Sequence, residues 1–180
     1  MSMTPIKRKI LEHMLLNDKP AKATQIAKDS GNEFRAAMMH ILDLTRKGYT
    51  CSPDKGQYVI TEKGKNLLGI PETTKENAKT ILAQTPREKA FHFYTDIEKP
   101  LNIYANGLQE FSEKIQKVNA ESLEFHICRG DFESWFTCLG DTELAKKMAL
   151  LKEKKLCGEE LRRKLREIVE NRCIALSAMT

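Results

Sequence analysis

The hydrophobic residues at the start of the chain recur at the spacing of an α-helix. Ile6, Ile10 and Met14 lie four residues apart and predict one buried helical face. Thr4-Pro5 precedes them, and a hydroxyl N-cap followed by proline at the first helical position is a strong helix start. Residues 17–20 (NDKP) then end the pattern, so we expect the first helix to stop there.

Two further helices are predicted before residue 50. The second covers about residues 23–29, and the third covers residues 33–47, with Asn32 as its N-cap and Gly48 at its end. A short turn containing Gly31 joins them. Two helices joined by such a turn are typical of a helix-turn-helix.

The third helix has an apolar face and an outward face. The predicted buried stripe consists of Phe34, Ala37, Met38, Ile41 and Leu42, with Leu44 or Thr45 at its margin. The predicted outward positions are Arg35, Ala36, Met39, His40, Asp43, Arg46 and Lys47.

A hairpin and a fourth helix follow. Residues 49–51 and 57–60 are short β-prone runs, separated by the turn-forming residues 52–56 (SPDKG). Thr61 is the predicted N-cap of a helix over residues 62–68, which Gly69 ends.

The order helix, helix, helix, hairpin, helix resembles the winged helix-turn-helix domains of prokaryotic, particularly archaeal, transcriptional regulators. The resemblance covers residues 4–69 and is carried by residues 23–31 (ATQIAKDSG) and 57–65 (QYVITEKGK). It implies that the third helix enters the major groove of double-stranded DNA, while the wing, residues 49–60, contacts phosphates or the minor groove.

The resemblance also implies a set of DNA-binding residues. The turns that approach base edges hold Asn32, Arg35, Ala36, Met39 and His40, and of these Arg35, Met39 and His40 are expected to face the bases. The candidate phosphate contacts are Lys28, Arg46, Lys47, Lys55, Lys63 and Lys65. Simple solvation is an equal alternative for any one lysine, and Glu33 and Asp43 would repel phosphate.

The positive charge lies in the same part of the chain. The formal net charge is +5; residues 1–70 hold 12 Lys and Arg against 7 Asp and Glu, whereas residues 71–180 hold 18 against 18. This asymmetry favours an anionic partner for the first part only.

No apolar run approaches the roughly 20 residues of a membrane span, and we expect a cytoplasmic protein.

The remainder of the chain predicts a linker and a mostly helical domain. Residues 70–89 are read as a connector with a short helix over 76–84, and residues 90–180 as the second domain. That domain is expected to open with a strand over 90–95 and to continue with helices over 108–118, 121–129, 132–139, 142–154 and 159–173. Asp131 and Asp141 are the expected N-caps of the third and fourth of these helices. The expected fold class is therefore mainly α with small β elements.

The second domain is similar to an uncharacterised prokaryotic domain family, mostly of unknown function. The similarity spans about residues 90–170, and its most specific block is S-x-x-F-H-x-x-R-G-D-F-x-x-W at residues 122–135. It implies a domain boundary and no chemistry.

One set of residues in this domain is a candidate ligand or partner site: His92, His126, Arg129, Asp131 and Trp135. The favoured interpretation is structural, with Asp131 capping a helix, Arg129 paired with a carboxylate or a helix C-terminus, and Phe125, Phe132 and Trp135 filling a core. No nucleophile motif, phosphate loop or paired-carboxylate signature is present, so we expect no enzyme and no cofactor.

The five cysteines are widely spaced and odd in number. No C-x-x-C pair is present, so we expect no metal site, and buried or half-buried free thiols are predicted.

The last helix, residues 159–173, carries an apolar stripe that suits pairing with a second copy. A homodimer is expected, because two recognition helices then read two half-sites.

The principal hypothesis is a sequence-specific DNA-binding regulator of transcription. The alternative is a protein-interaction scaffold that uses the winged helix without nucleic acid.

Overall fold

The computed structural model describes residues 3–180, and the chain divides between Glu72 and Thr73 into two units. Unit 1 ends at Glu72 and unit 2 begins at Thr73. The described residues are mainly helical with two small antiparallel sheets, which confirms the expected fold class. The short helix expected within the connector belongs to unit 2.

Unit 1 follows the predicted order of elements, with one short strand added. Its elements are α1 (Pro5–Asn17), β1 (Ala21–Lys22), α2 (Ala23–Asp29), α3 (Phe34–Arg46), β2 (Thr50–Cys51), β3 (Gln57–Ile60) and α4 (Glu62–Leu67). The predicted caps of the first and last helices are confirmed, because Thr4 accepts from the N–H of Lys7 and Thr61 from that of Gly64.

The added strand β1 ties the start of α2 to the hairpin. The strand order is β1-β3-β2, with Ala21 opposite Tyr58 and Thr50 opposite Ile60. A two-residue strand is too short to show an alternating pattern, which is why the sequence did not predict it.

The buried face of α3 is narrower than predicted. Ala37, Ile41 and Leu44 are fully buried, whereas Phe34 and Leu42, which were expected in the stripe, are 47% and 45% exposed. The helix turns the i, i+4, i+7 set of these three residues toward the core, which leaves Phe34 at the margin of that face and Leu42 on the solvent side.

Unit 2 contains a hairpin packed with six helices. Its elements are α5 (Lys75–Leu82), β4 (Phe91–Asp96), β5 (Lys99–Ala105), α6 (Leu108–Lys114), α7 (Ala120–Arg129), α8 (Asp131–Cys138), α9 (Thr142–Glu153) and α10 (Gly158–Met179), with a short 3-10 turn at Arg87–Lys89. Strand β5 was not predicted. It contains Pro100 and a left-handed residue, Asn102, and its pairing with β4 is irregular.

Aromatic side chains form the centre of unit 2. Phe111 contacts five other aromatic rings at centroid distances of 5.2–5.7 Å. The whole cluster consists of Phe91, Phe93, Phe111, Phe132, Trp135 and Phe136, all buried.

Helix α10 buries its apolar stripe inside unit 2. The stripe residues Leu161, Leu165, Ile168, Val169 and Cys173 are all buried, and α10 packs against α5, α6, α7 and α9. The stripe that the sequence offered to a second copy is therefore occupied within the unit.

A buried ion network joins α10 to the start of α9. The Arg172 guanidinium donates to both carboxylate oxygens of Asp141 at 2.8 and 3.0 Å, to Glu143 at 3.0 Å and to the hydroxyl of Thr73 at 3.1 Å. Lys147 in turn lies 2.8 Å from Glu143. Asp141 is also the predicted N-cap of α9, because it accepts from the N–H of Leu144.

The cysteines are free thiols, but four of them, Cys51, Cys128, Cys138 and Cys157, are exposed, so the prediction of burial was wrong for these. Cys173 is buried, and burial raises the pKa of its thiol to about 11.

In residues 3–180 we find no helix with both the length and the apolarity required of a membrane span.

Candidate nucleic-acid interface and aromatic pocket

Helix α3 presents a mixed basic and apolar face to solvent. Arg35, Met39 and Arg46 are exposed, and Ala36 and His40 are half-buried. These are the positions that the sequence assigned to the outward face.

Asn32 does not cap α3. The helix begins at Phe34 after Glu33, which makes no side-chain cap bond, and the Asn32 amide instead donates to the carbonyl and hydroxyl of Ser30 at 3.1 and 2.9 Å. Asn32 stabilises the turn between α2 and α3, so it lies just before the face that it was expected to join.

Asp43 is the one acidic residue within α3, and two lysines hold its carboxylate. The distances are 2.7 Å to Lys7 and 2.8 Å to Lys47. Hydrogen bonds from Lys47 and Lys7 lower the pKa of Asp43 to about 2. The carboxylate is therefore ionised, and the two ammonium groups offset its charge. The repulsion of phosphate that the sequence suggested at this position is therefore offset on the same surface.

Two predicted phosphate ligands at the hairpin are already engaged. The Lys63 ammonium donates to the carbonyl of Lys47 at 2.8 Å and lies 5.0 Å from the ring centre of Tyr49. Lys65 lies 2.8 Å from Glu62. These contacts position the side chains along the junction of the hairpin and α4.

Apart from Lys47, which pairs with Asp43, the other predicted cations have no acidic partner among the described residues. In the same part of the chain, six exposed cations of unit 1 make no side-chain hydrogen bond or ion pair. Four of them are predicted DNA contacts, Lys28, Arg35, Arg46 and Lys55, and the other two are Lys9 and Lys22. Lys55 lies at the hairpin tip, where Gly56 adopts the left-handed conformation that the tight turn requires.

In unit 2 the structure brings four of the five candidate ligand residues to one cavity. The cavity has a volume of about 510 Å³ and lies beside the turn of the β4–β5 hairpin. Its lining includes His92, His126, Arg129 and Asp131 together with Phe91, Tyr94, Asp96, Ile97, Glu98 and Phe125. Trp135 is not part of it, because its indole N–H donates to the carbonyl of Lys89 at 2.9 Å and the ring fills the core.

His126 is the buried centre of this group. Its Nε2 accepts from the backbone N–H of Tyr94 at 2.8 Å, so the hydrogen lies on Nδ1, which donates to Asp131 at 2.7 Å. Burial lowers the pKa of His126, and the hydrogen bond and charge of Asp131 oppose this in part. With both nitrogens engaged in a neutral ring, His126 is built as a structural link rather than an acid–base group.

Asp131 is not the N-cap of α8, which is a correction to the prediction. Gly130 holds that position in the left-handed conformation, and Asp131 is the first helical residue. Its carboxylate turns back toward α7, where it accepts from His126 and from Arg129 at 3.2 Å. Arg129 also lies 5.0 Å from the ring centre of Phe125.

Sequence reasoning missed the role of Tyr94, because a backbone N–H that meets a histidine from another element leaves no pattern in the sequence.

The side chains of the described residues form no group of three or more His, Cys, Asp or Glu that could hold a metal ion.

A family model described as a family of unknown function, DUF5752, matches residues 64–170, which is more than half of the chain. The chain therefore belongs to this family. The match contains the block at residues 122–135 that carried the resemblance of the second domain. No curated protein and no solved structure matches the chain.

Proposed function

We propose that this member of the DUF5752 family binds double-stranded DNA sequence-specifically through unit 1, as a winged helix-turn-helix regulator of transcription. In this proposal α3 enters the major groove, and the hairpin over residues 49–60 is the wing that contacts phosphates or the minor groove. The observation that carries it is the charge on α3: Arg35 and Arg46 have no acidic partner within residues 3–180, while Asp43 is paired with two lysines.

Two further features support the proposal. The hairpin pairs through β3 with the strand that precedes α2, which is the arrangement of a wing held beside a helix-turn-helix. The excess positive charge also lies in residues 1–70. A basic segment attracts the anionic duplex, and an α-helix is narrow enough to enter its major groove.

Unit 2 is proposed as an effector, partner or dimerisation module, and the protein as a cytoplasmic homodimer. Because the apolar stripe of α10 is buried within unit 2, a second copy would have to use another surface. Light scattering that shows a monomer at micromolar concentration contradicts the dimer.

The test is binding of the full chain to labelled duplex DNA from a random pool over a range of salt concentrations. Affinity should fall with salt, with a slope of about −0.9 for each phosphate contact. Arg35→Ala should weaken discrimination between sequences, and Lys55→Ala should weaken binding to all sequences alike. Arg163→Ala, an exposed arginine on α10, is the matched control and should change neither.

The alternative function is a protein-interaction scaffold, and the exposure of Phe34, Met39 and Leu42 on α3 is the observation that favours it. The same titration separates the two functions. Failure to bind any duplex at low salt contradicts the DNA-binding proposal and favours the scaffold.

A further inference from the structure

The most exposed apolar side chain of α3 lies between its unpartnered arginines. Met39 is 63% exposed and Leu42 is 45% exposed. Arg35 is four residues before Met39, and Arg46 is four residues after Leu42, so the two arginines and the two apolar residues share one face of the helix.

This combination of charge and apolar surface fits one particular occupant. Burying the exposed methionine against apolar groups is favourable, because it removes apolar surface from water. A purely apolar protein surface, however, would also remove water from the neighbouring guanidinium groups without replacing its hydrogen bonds. The major groove offers both kinds of contact, since phosphates and guanine edges accept from arginine and the C5 methyl group of thymine is apolar.

We propose that Met39 contacts a thymine C5 methyl group in the major groove, so that this protein selects sites containing a thymine at a defined position. The inference rests on the proposed DNA binding of unit 1. The small side chain of Ala36, one helical turn before Met39 and His40, leaves room for the helix to approach the bases closely. The pairing of Asp43 with Lys7 and Lys47 offsets the negative charge next to this contact.

The experiment removes the methyl group and nothing else. The full chain is titrated with the tightest duplex recovered from a random pool, and with copies in which each thymine in turn is replaced by uracil. At one or two positions uracil should weaken binding about fourfold, which is the effect of one buried methyl group. In Met39→Ala that difference should disappear, while in Ile174→Ala, which shortens an equally exposed apolar residue on α10 (68%), it should persist.

Each other outcome is decisive. If uracil changes nothing at any position although the duplex is bound with a steep dependence on salt, the inference is wrong and the proposed function stands. If Met39→Ala retains the full difference, another residue reads the methyl group and the inference is again wrong. If no duplex is recovered at all, the proposed function fails and the inference fails with it. Equal thermal unfolding midpoints for Met39→Ala and the unmodified protein exclude a loss of folding.

Discussion

The backbone N–H of Tyr94 donates a hydrogen bond to Nε2 of His126 at 2.8 Å and so joins strand β4 to helix α7. The other ring nitrogen donates to Asp131 at 2.7 Å, at the start of α8. A single neutral imidazole therefore connects three elements around the aromatic core of unit 2. Protonation of Nε2 would replace its lone pair with a hydrogen that points at another hydrogen, so the link requires the neutral ring.

The first prediction is a loss of stability on mild acidification. Burial lowers the pKa of His126 below its ordinary value of 6.5, so the unfolded state binds the proton more tightly than the folded state. The contribution of His126 should be complete above pH 6.5 and should decrease as the pH falls through 6.5 toward the folded-state pKa. Urea unfolding between about pH 8 and pH 5, followed by the fluorescence of Trp135, measures this.

The matched variants are His126→Gln and His92→Gln, the latter at an exposed histidine. His126→Gln should be less stable at pH 8 and should show a weaker decline toward pH 5 than the unmodified protein. His92→Gln should retain the full decline. An identical pH profile for His126→Gln and the unmodified protein would refute the assignment to His126.

The second prediction concerns Gly64 in α4. A Cβ atom at this position would collide with the carbonyl oxygen of Tyr49 and with the side chain of Ile60. The backbone of α4 thus approaches the hairpin more closely than any other residue type permits. Gly64→Ala should lower the free energy of unfolding by about 1–3 kcal/mol, the usual effect of overpacking. Chemical unfolding of the full chain gives the value, with Asn66→Ala on the exposed face of α4 as the control; equal stability of the two variants would contradict the close approach.

The predictable parts of this fold are those specified by neighbouring residues. Thr4, Thr61 and Asp141 cap their helices as expected, because a cap needs only a hydroxyl or carboxylate and the N–H groups of the next turn. The aromatic strand β4 and the stripe of α10 were also predicted, since each repeats with its own period.

The parts that escaped prediction depend on contacts from elsewhere in the chain. Asp131 is a residue type that often caps a helix, but its carboxylate pairs instead with His126 and Arg129, which both belong to α7. Phe34 and Leu42 are apolar like core residues, yet α3 buries Ala37, Ile41 and Leu44 instead. For the candidate sites, the sequence identified the residue types, whereas their pairing was decided by tertiary structure.

The third prediction tests the buried ion network. Arg172→Ala leaves the buried carboxylate of Asp141 with the N–H of Leu144 as the one remaining hydrogen-bond donor to its side chain in the described part of the chain. Breaking a buried pair in this way costs about 3–5 kcal/mol of stability. Arg166→Ala breaks the exposed pair with Glu170 on the same helix and should cost no more than about 1 kcal/mol. Urea unfolding of both variants measures the contrast, and a loss for Arg172→Ala as small as about 1 kcal/mol, the limit expected for the exposed pair, would show that the network does not stabilise unit 2.

The last prediction concerns the charge of α3. Asp43 holds Lys7 and Lys47 at 2.7 and 2.8 Å, and Asp43→Asn removes the negative charge while it keeps the size of the side chain. If α3 lies against DNA, the two lysines become available to phosphates, so affinity for all duplexes should rise at low salt. The salt dependence should steepen by up to about 0.9 for each new contact.

The matched control for this change is Asp96→Asn, because Asp96 also pairs with a lysine, Lys99, at 3.3 Å, but belongs to unit 2. Hydrogen bonding to the N–H of Ile97 lowers the pKa of Asp96, so this substitution likewise removes a carboxylate that is ionised at neutral pH. An increase in affinity for Asp43→Asn alone supports contact between α3 and the duplex. An equal increase in both variants would instead report a general effect of net charge, and the assignment of α3 to the DNA interface would then be wrong.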